Sequence, residues 1–196
     1  MKRNKLFAVS LAVLLLLSAL GCRLVESLQD HAFELPSSQN DTLPSEISAL
    51  FPDAVSVRKT EIEAADGPYG DGRFGSTYIV RTEIAEGAKG VVIGYAIVVT
   101  NHNAYNPPLT LAVGITPDGK TTGIHFLELN EVPGKGMQAD EPAFRDQFSG
   151  RIVDAFVLNE PDENGVDAIS GATVTSKAVV NAVNAGLDFY RAAIAP

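Results

Sequence analysis

The sequence predicts an α+β fold: an antiparallel β-sheet packed against helices, with a long C-terminal helix after a turn of small and hydroxyl-bearing residues. Three observations carry this. Residues 91–129 form a succession of apolar, β-type runs interrupted by the turn signals Asn106-Pro107-Pro108 and Pro117-Asp118-Gly119. From Thr175 onward, Val179 and Val180, Val183, Leu187, Tyr190 and Ile194 recur at helical spacing and make one apolar stripe. Strands come first and the long helix last.

With 196 residues, 45% hydrophobic and 20% charged, the chain has room for one globular domain with a real core. Its first residues read differently. Lys2, Arg3 and Lys5 precede a nearly unbroken apolar run over residues 6–20, shorter than the roughly 20 residues a spanning helix needs. The only cysteine, Cys22, follows Gly21 just past this run, where a bacterial lipoprotein signal places the residue that becomes lipidated. The fit is loose, with Ala19 where leucine is usual and Leu20 where a smaller residue is usual. Three readings stay open: a lipoprotein modified at Cys22, an uncleaved membrane anchor with an incidental cysteine, and plain cleaved secretion. All three export the remainder, so the expected location is extracytoplasmic, in the periplasm or on the cell surface of a bacterium, and membrane-anchored in the first two.

Residues 1–22 hold three basic groups and no acidic one, so without them the formal charge moves from −9 to −12. That opposes nucleic acid as a partner and polybasic docking on anionic lipid. One cysteine also excludes a disulfide framework.

Residues 23–43 read as a polar tether, with Pro36-Ser37-Ser38-Gln39-Asn40-Asp41 in its middle and room for a short helix at 24–28; the domain proper is expected over 44–196. Pro44 opens a short helix that Phe51-Pro52 stops. Val55, Val57 and Ile62 mark a strand over 54–64. Gly70-Asp71-Gly72-Arg73-Phe74-Gly75 is formally G-x-G-x-x-G, yet residues 76–82 are strand formers where a dinucleotide fingerprint would open a helix. Residues 67–75 are therefore read as a glycine-rich loop. The run 91–99 is apolar enough for burial on both faces or nearly so, and 109–115 with 121–129 makes a hairpin. A shorter apolar segment, 152–158, precedes a turn at 159–165; its calcium-loop flavour fails because the twelfth position from Glu160 is Gly171.

Familiar catalytic sets are absent from the sequence. Ser149 and Ser170 each precede a glycine but lack one two positions earlier, which excludes a nucleophile elbow. His31, His102 and His125 are isolated, and His125 lies in a strand pattern, so neither a metal site nor a catalytic constellation is expected. Two other segments stand out. Ser170-Gly171-Ala172-Thr173-Val174-Thr175-Ser176 sits at a helix start, where unpaired N–H groups and the positive dipole end suit an anion such as phosphate. An ordinary Ser/Thr cap is the plainer reading of the same string. Asn130-Glu131-Val132-Pro133-Gly134-Lys135-Gly136 follows a strand, and its glycines allow backbone to approach a flat ligand closely.

The chain resembles the FMN-binding domain family, whose members serve in the Rnf electron-transport complex and in the sodium-translocating NADH:quinone oxidoreductase. The resemblance covers about residues 43–193: Gly94-Tyr95, the hairpin with its Asp118-Gly119 turn, the 131–136 loop, Phe148-Ser149-Gly150, and a full match to D-x-x-S-G-A-T from Asp167 to Thr173. It implies FMN held covalently by a phosphoester to Thr173, with Thr175 the second hydroxyl to consider. It further implies contacts from Ser170, Gly171, Ala172, Ser176, Glu131, Val132, Pro133, Gly134, Lys135 and Gly136. The partners implied are a flavin transferase that uses FAD and magnesium, the membrane, and other redox subunits. The family loop reads E-T-P-G-L-G; here Val132 replaces the threonine and Lys135 the leucine. Lys135 either sets a positive charge beside the ring or points into water. The competing expectations are a flavin-free binding or assembly subunit and a noncovalent flavin module.

Overall fold

The structure, a computed structural model, describes residues 43–60 and 77–195. The expected leader with Cys22, the tether over 23–42 and the glycine-rich loop lie outside the described residues, as does the expected strand beyond Thr60 with Ile62. Helix α1 (Ser45–Leu50) is followed by β1 (Ser56–Thr60), β2 (Thr77–Glu86), β3 (Val92–Asn101), β4 (Leu109–Ile115) and β5 (Thr121–Leu129). These strands form one antiparallel sheet in the order β1-β2-β3-β4-β5, each beside its neighbour in sequence. Then come α2 (Pro142–Arg145), the short strands β6 (Val157–Leu158) and β7 (Gly165–Val166), and the long helix α3 (Thr173–Phe189), which ends in a π turn over Tyr190–Ile194. The expected α+β arrangement is present.

The sheet is covered on both faces, which explains the composition of β3. Ile97 and Val99 belong to the core beneath α3, whereas Ala96 and Val98 belong to the core beneath α1. Alternate side chains of a strand point to opposite faces, so a strand buried twice must be apolar throughout. The α1 face is built from small residues. A Cβ on Gly94 would lie 2.1 Å from Phe51 Cε1, and one on Gly114 would lie 3.1 Å from Leu50 Cβ. Six residues are too few to hold a helix alone. Ile47, Leu50 and Phe51, all buried, supply roughly 1.5–3 kcal/mol each by leaving water and dock it.

An ion pair fastens the same helix. Arg81 bonds Glu46 Oε1 and, through Nε at 3.0 Å, Glu83 Oε1, and both carboxylate residues are buried. Burial pushes the Glu46 carboxyl up, but its backbone hydrogen bond, the Arg81 and Ser45 hydrogen bonds and the Arg81 charge outweigh this and hold it below its ordinary value. A depressed carboxyl stabilises the fold above the unfolded pKa, and that contribution disappears as pH falls through the folded one. Glu46→Gln is therefore expected to lower stability by about 1.5 kcal/mol at neutral pH, a value typical of a charged hydrogen bond. The difference should shrink below pH 4.5, the ordinary value for this group. Urea titrations of both proteins across pH measure it; a pH-independent gap would refute the role of the charge.

Beyond β5, Phe144, Phe148 and Phe156 stack edge-on at 5.5 and 5.0 Å and pin α2 to the core. The apolar segment 152–158 is mostly irregular, and only Val157–Leu158 pairs, in parallel, with Gly165–Val166. Asn184 of α3 explains this: its side chain accepts from the Phe156 N–H at 2.8 Å and donates to the Phe156 C=O at 2.9 Å, replacing a strand partner. At the far end of α3, Tyr190 packs 5.9 Å from Tyr95 and donates to the Pro117 carbonyl at 2.9 Å. Among the described residues no helix is long and apolar enough to cross a membrane.

Candidate functional site

The start of α3 differs from a side-chain-capped helix. Its N-cap is Ala172, and no side chain caps it, because the helix begins at Thr173 rather than beyond the hydroxyl cluster. The Ser/Thr cap expected as the plainer reading is thus absent. Gly171, at φ 74°, turns the chain into the helix in the left-handed region that favours glycine. Ser176, fully buried, clamps the turn from behind: its Oγ accepts from the Ile169 N–H and donates to the Ala172 C=O, both at 3.0 Å. The N–H groups of the first helical turn have no acceptor within the helix. Thr173 and Val174 are exposed, whereas Thr175 is 1% exposed.

The second element is the loop after β5. The Val132 carbonyl accepts from the Lys135 N–H at 3.1 Å and the Met137 N–H at 3.2 Å. Pro133 and Gly134, the latter at φ 72°, occupy the middle of this turn, the pair that a type II turn demands. Gly136 needs space. A Cβ there would lie 2.7 Å from Glu131 Oε2 and 2.7 Å from Thr175 Oγ1. The loop therefore packs directly against the helix start.

Glu131 joins a third element. It is 6% exposed, and its Oε1 accepts from the backbone N–H of Tyr105 at 3.0 Å and of Asn106 at 3.3 Å. Its Oε2 is buried without a hydrogen-bond partner, a condition that costs about 1–3 kcal/mol or more for a charged group. The connection between β3 and β4 is thereby tied to the loop after β5.

These three elements enclose a cleft of about 440 Å³, within the range of roughly 300–1,000 Å³ usual for small-molecule sites. The loop contributes Glu131, Val132, Lys135 and Gly136, the helix start contributes Gly171, Ala172, Thr173, Val174 and Thr175, and Tyr105 completes the lining. The structure thus brings together the two segments that the sequence singled out. Pro133, Gly134 and Ser176 are outside the lining, and Ser170 faces a neighbouring groove with Gln138, Gln147 and Asp167. Tyr105 was not visible as a site residue in the sequence. Nothing in its spacing marks it, and only the buried Glu131 carboxylate carries it to the cleft.

Chemically, the cleft offers an anion-binding helix start, with the exposed Lys135 at its rim. It also has glycine backbone in its wall, and the unpaired Glu131 oxygen lies buried behind that wall. A ligand with a phosphate and a flat body matches that set.

Comparison with known proteins agrees with this chemistry. A family model described as FMN-binding domain matches residues 104–188, a span that contains every residue lining the cleft. The chain is 33% identical over 109 residues to one subunit of the Na(+)-translocating ferredoxin:NAD(+) oxidoreductase complex of Acetobacterium woodii, covering 53% of this chain and 52% of that protein. It is 33% identical over 138 residues to one subunit of the Na(+)-translocating NADH-quinone reductase of Neisseria meningitidis, covering 64% of this chain and 51% of that one. The crystal structure of Shewanella oneidensis NqrC superposes with a TM-score of 0.49 at 18% identity, covering 76% of this chain and 71% of that chain. The chain spans about half the length of the curated relatives it matches. Residues 104–188 of this chain, which carry the whole cleft, are thus similar to the FMN-binding domain family.

Proposed function

We propose that this chain is a membrane-tethered, extracytoplasmic electron carrier that works through FMN ester-linked to Thr173, within an Rnf-type or related electron-transfer chain. The observation that carries the reading is the exposed Thr173 at an uncapped helix start, facing a loop with an unpaired buried carboxylate. The helix start and Thr173 would hold the phosphate; Val132, Gly136 and Lys135 would line the ring end. FMN, when bound, supplies the redox chemistry, and no side chain needs to act as acid or base. Attachment from FAD balances as a phosphoryl transfer: the Thr173 oxygen bonds to the FMN phosphorus, the pyrophosphate bond to AMP breaks, AMP leaves and the hydroxyl proton is lost. A flavin transferase would perform it. An ester bond suits an exported protein, because a dissociable cofactor would be lost outside the cytoplasm. The relatives are named as parts of larger oxidoreductase complexes, which supports other redox subunits as electron donors and acceptors.

Co-expression of the full chain with a flavin transferase tests this reading. A denaturing gel under ultraviolet light should show a fluorescent band, and intact mass should rise by one esterified FMN. A dark band and an unchanged mass would remove covalent attachment. N-terminal mass spectrometry separates a lipidated Cys22 from an intact Met1.

Lys135 gives a second expectation. A cation near the ring favours anionic reduced flavin and raises the potential. Lys135→Leu is therefore expected to lower the flavin potential in spectroelectrochemical titration. An unchanged potential would place the ammonium in water.

A further inference from the structure

We infer that Tyr105 is the aromatic wall against which the bound ring stacks, and that Glu131 is the positioning residue that holds it there; the inference rests on the flavin reading above. Tyr105 is 64% exposed although it lines the cleft, so a large ring stands in solvent beside a space that a flat ligand can fill. Burying its face against such a ligand removes apolar surface from water and adds a stacking contact. The side chain is exposed, but its backbone is not loose. Two N–H groups, those of Tyr105 and Asn106, converge on one oxygen of a carboxylate that is 6% exposed. Charge-assisted bonds to a buried acceptor fix the Tyr105 Cα relative to the loop opposite. The same carboxylate has its other oxygen buried and unpaired, beside the space that a Gly136 Cβ would occupy. That oxygen is enclosed by the loop and the helix start, so the carboxylate that holds Tyr105 is itself held in place.

The test reads emission rather than electron transfer. A phenol in contact with an excited flavin quenches its fluorescence by giving it an electron, and a phenyl ring does not. The chain has no tryptophan; of its four other tyrosines, Tyr95 and Tyr190 pack together at the far end of α3, and Tyr69 and Tyr78 stay unchanged in every variant. Full-length wild type, Tyr105→Phe, Tyr105→Leu, Glu131→Gln and Glu131→Ala are loaded with flavin, and native emission is normalised to bound flavin measured by absorbance. Tyr105→Phe and Tyr105→Leu should brighten several-fold with little change in thermal midpoint. Glu131→Gln keeps an acceptor for the two N–H groups and should stay quenched; Glu131→Ala removes it and should brighten. Equal emission from loaded wild type and Tyr105→Phe would overturn the stacking. Brightening in Tyr105→Phe with quenching retained in Glu131→Ala would overturn the positioning role. Wild type that carries no flavin would overturn the functional reading itself, a different result from either.

Discussion

Thr173→Ala should abolish covalent flavin loading, while Thr175→Ala should retain it. Both hydroxyls belong to the cleft lining, so sequence spacing alone does not separate them. Access does. Thr173 is exposed at the first position of the helix, whereas Thr175 is 1% exposed, with its Oγ1 crowded against the loop backbone at Gly136. A transferase must bring FAD to the accepting oxygen, and only the exposed one admits so large a donor. The Thr173 hydroxyl caps nothing in the free protein, because the helix has no side-chain cap. Its removal should therefore leave stability within about 0.5 kcal/mol, as for an ordinary surface change. Thr173→Ser keeps a hydroxyl at the same place and should still be labelled. In-gel fluorescence and intact mass of the three co-expressed variants measure the result. Labelling that survives in Thr173→Ala and disappears in Thr175→Ala would reverse the assignment.

The parts of this molecule that were legible in the sequence are those set by local periodicity or by obligatory chain geometry. The apolar run in β3 announced burial on two faces, and Ala96 to Val99 are indeed divided between the two cores. The valines of α3 announced a helix packed on a sheet, although its buried face is wider than the stripe because Ala178, Ala182, Ala185 and Gly186 are also covered. The glycines of the 130–136 loop and the small, hydroxyl-bearing residues of the 170–176 turn marked both as places of close approach. The remainder depends on pairs distant in sequence. Asn184 takes the backbone of Phe156 out of any sheet, and Glu131 draws in Tyr105 across 26 residues. The plainer cap reading fails for a related reason. Ser176 spends its hydroxyl on Ile169 and Ala172, a choice fixed by the turn's fold and not by its composition.

Gly136→Ala should damage the cleft more than any other single-methyl change in the loop. Its glycine serves space, whereas Gly134 and Gly171 serve conformation at φ 72° and 74° with nothing within 4 Å of an added Cβ. A methyl at Gly136 would meet Glu131 Cβ at 2.8 Å as well as Glu131 Oε2 and Thr175 Oγ1 at 2.7 Å. A rotamer change can move the carboxylate but not the Glu131 Cβ, which is fixed to its backbone. Relief must then come from displacing the loop or the first turn of α3, and moving Glu131 endangers its bonds to Tyr105 and Asn106. Overpacking costs about 1–3 kcal/mol, and a hydrogen bond to a charged group contributes about 1.5–3 kcal/mol. A loss of about 3 kcal/mol is expected in urea unfolding, together with weak flavin labelling. Gly134→Ala, which meets only the left-handed backbone penalty, should lose about 1 kcal/mol and label normally. If Gly136→Ala were as stable as Gly134→Ala, the loop and the helix start would not be in contact, and the Glu131 carboxylate would lose the confinement that leaves its second oxygen without a partner.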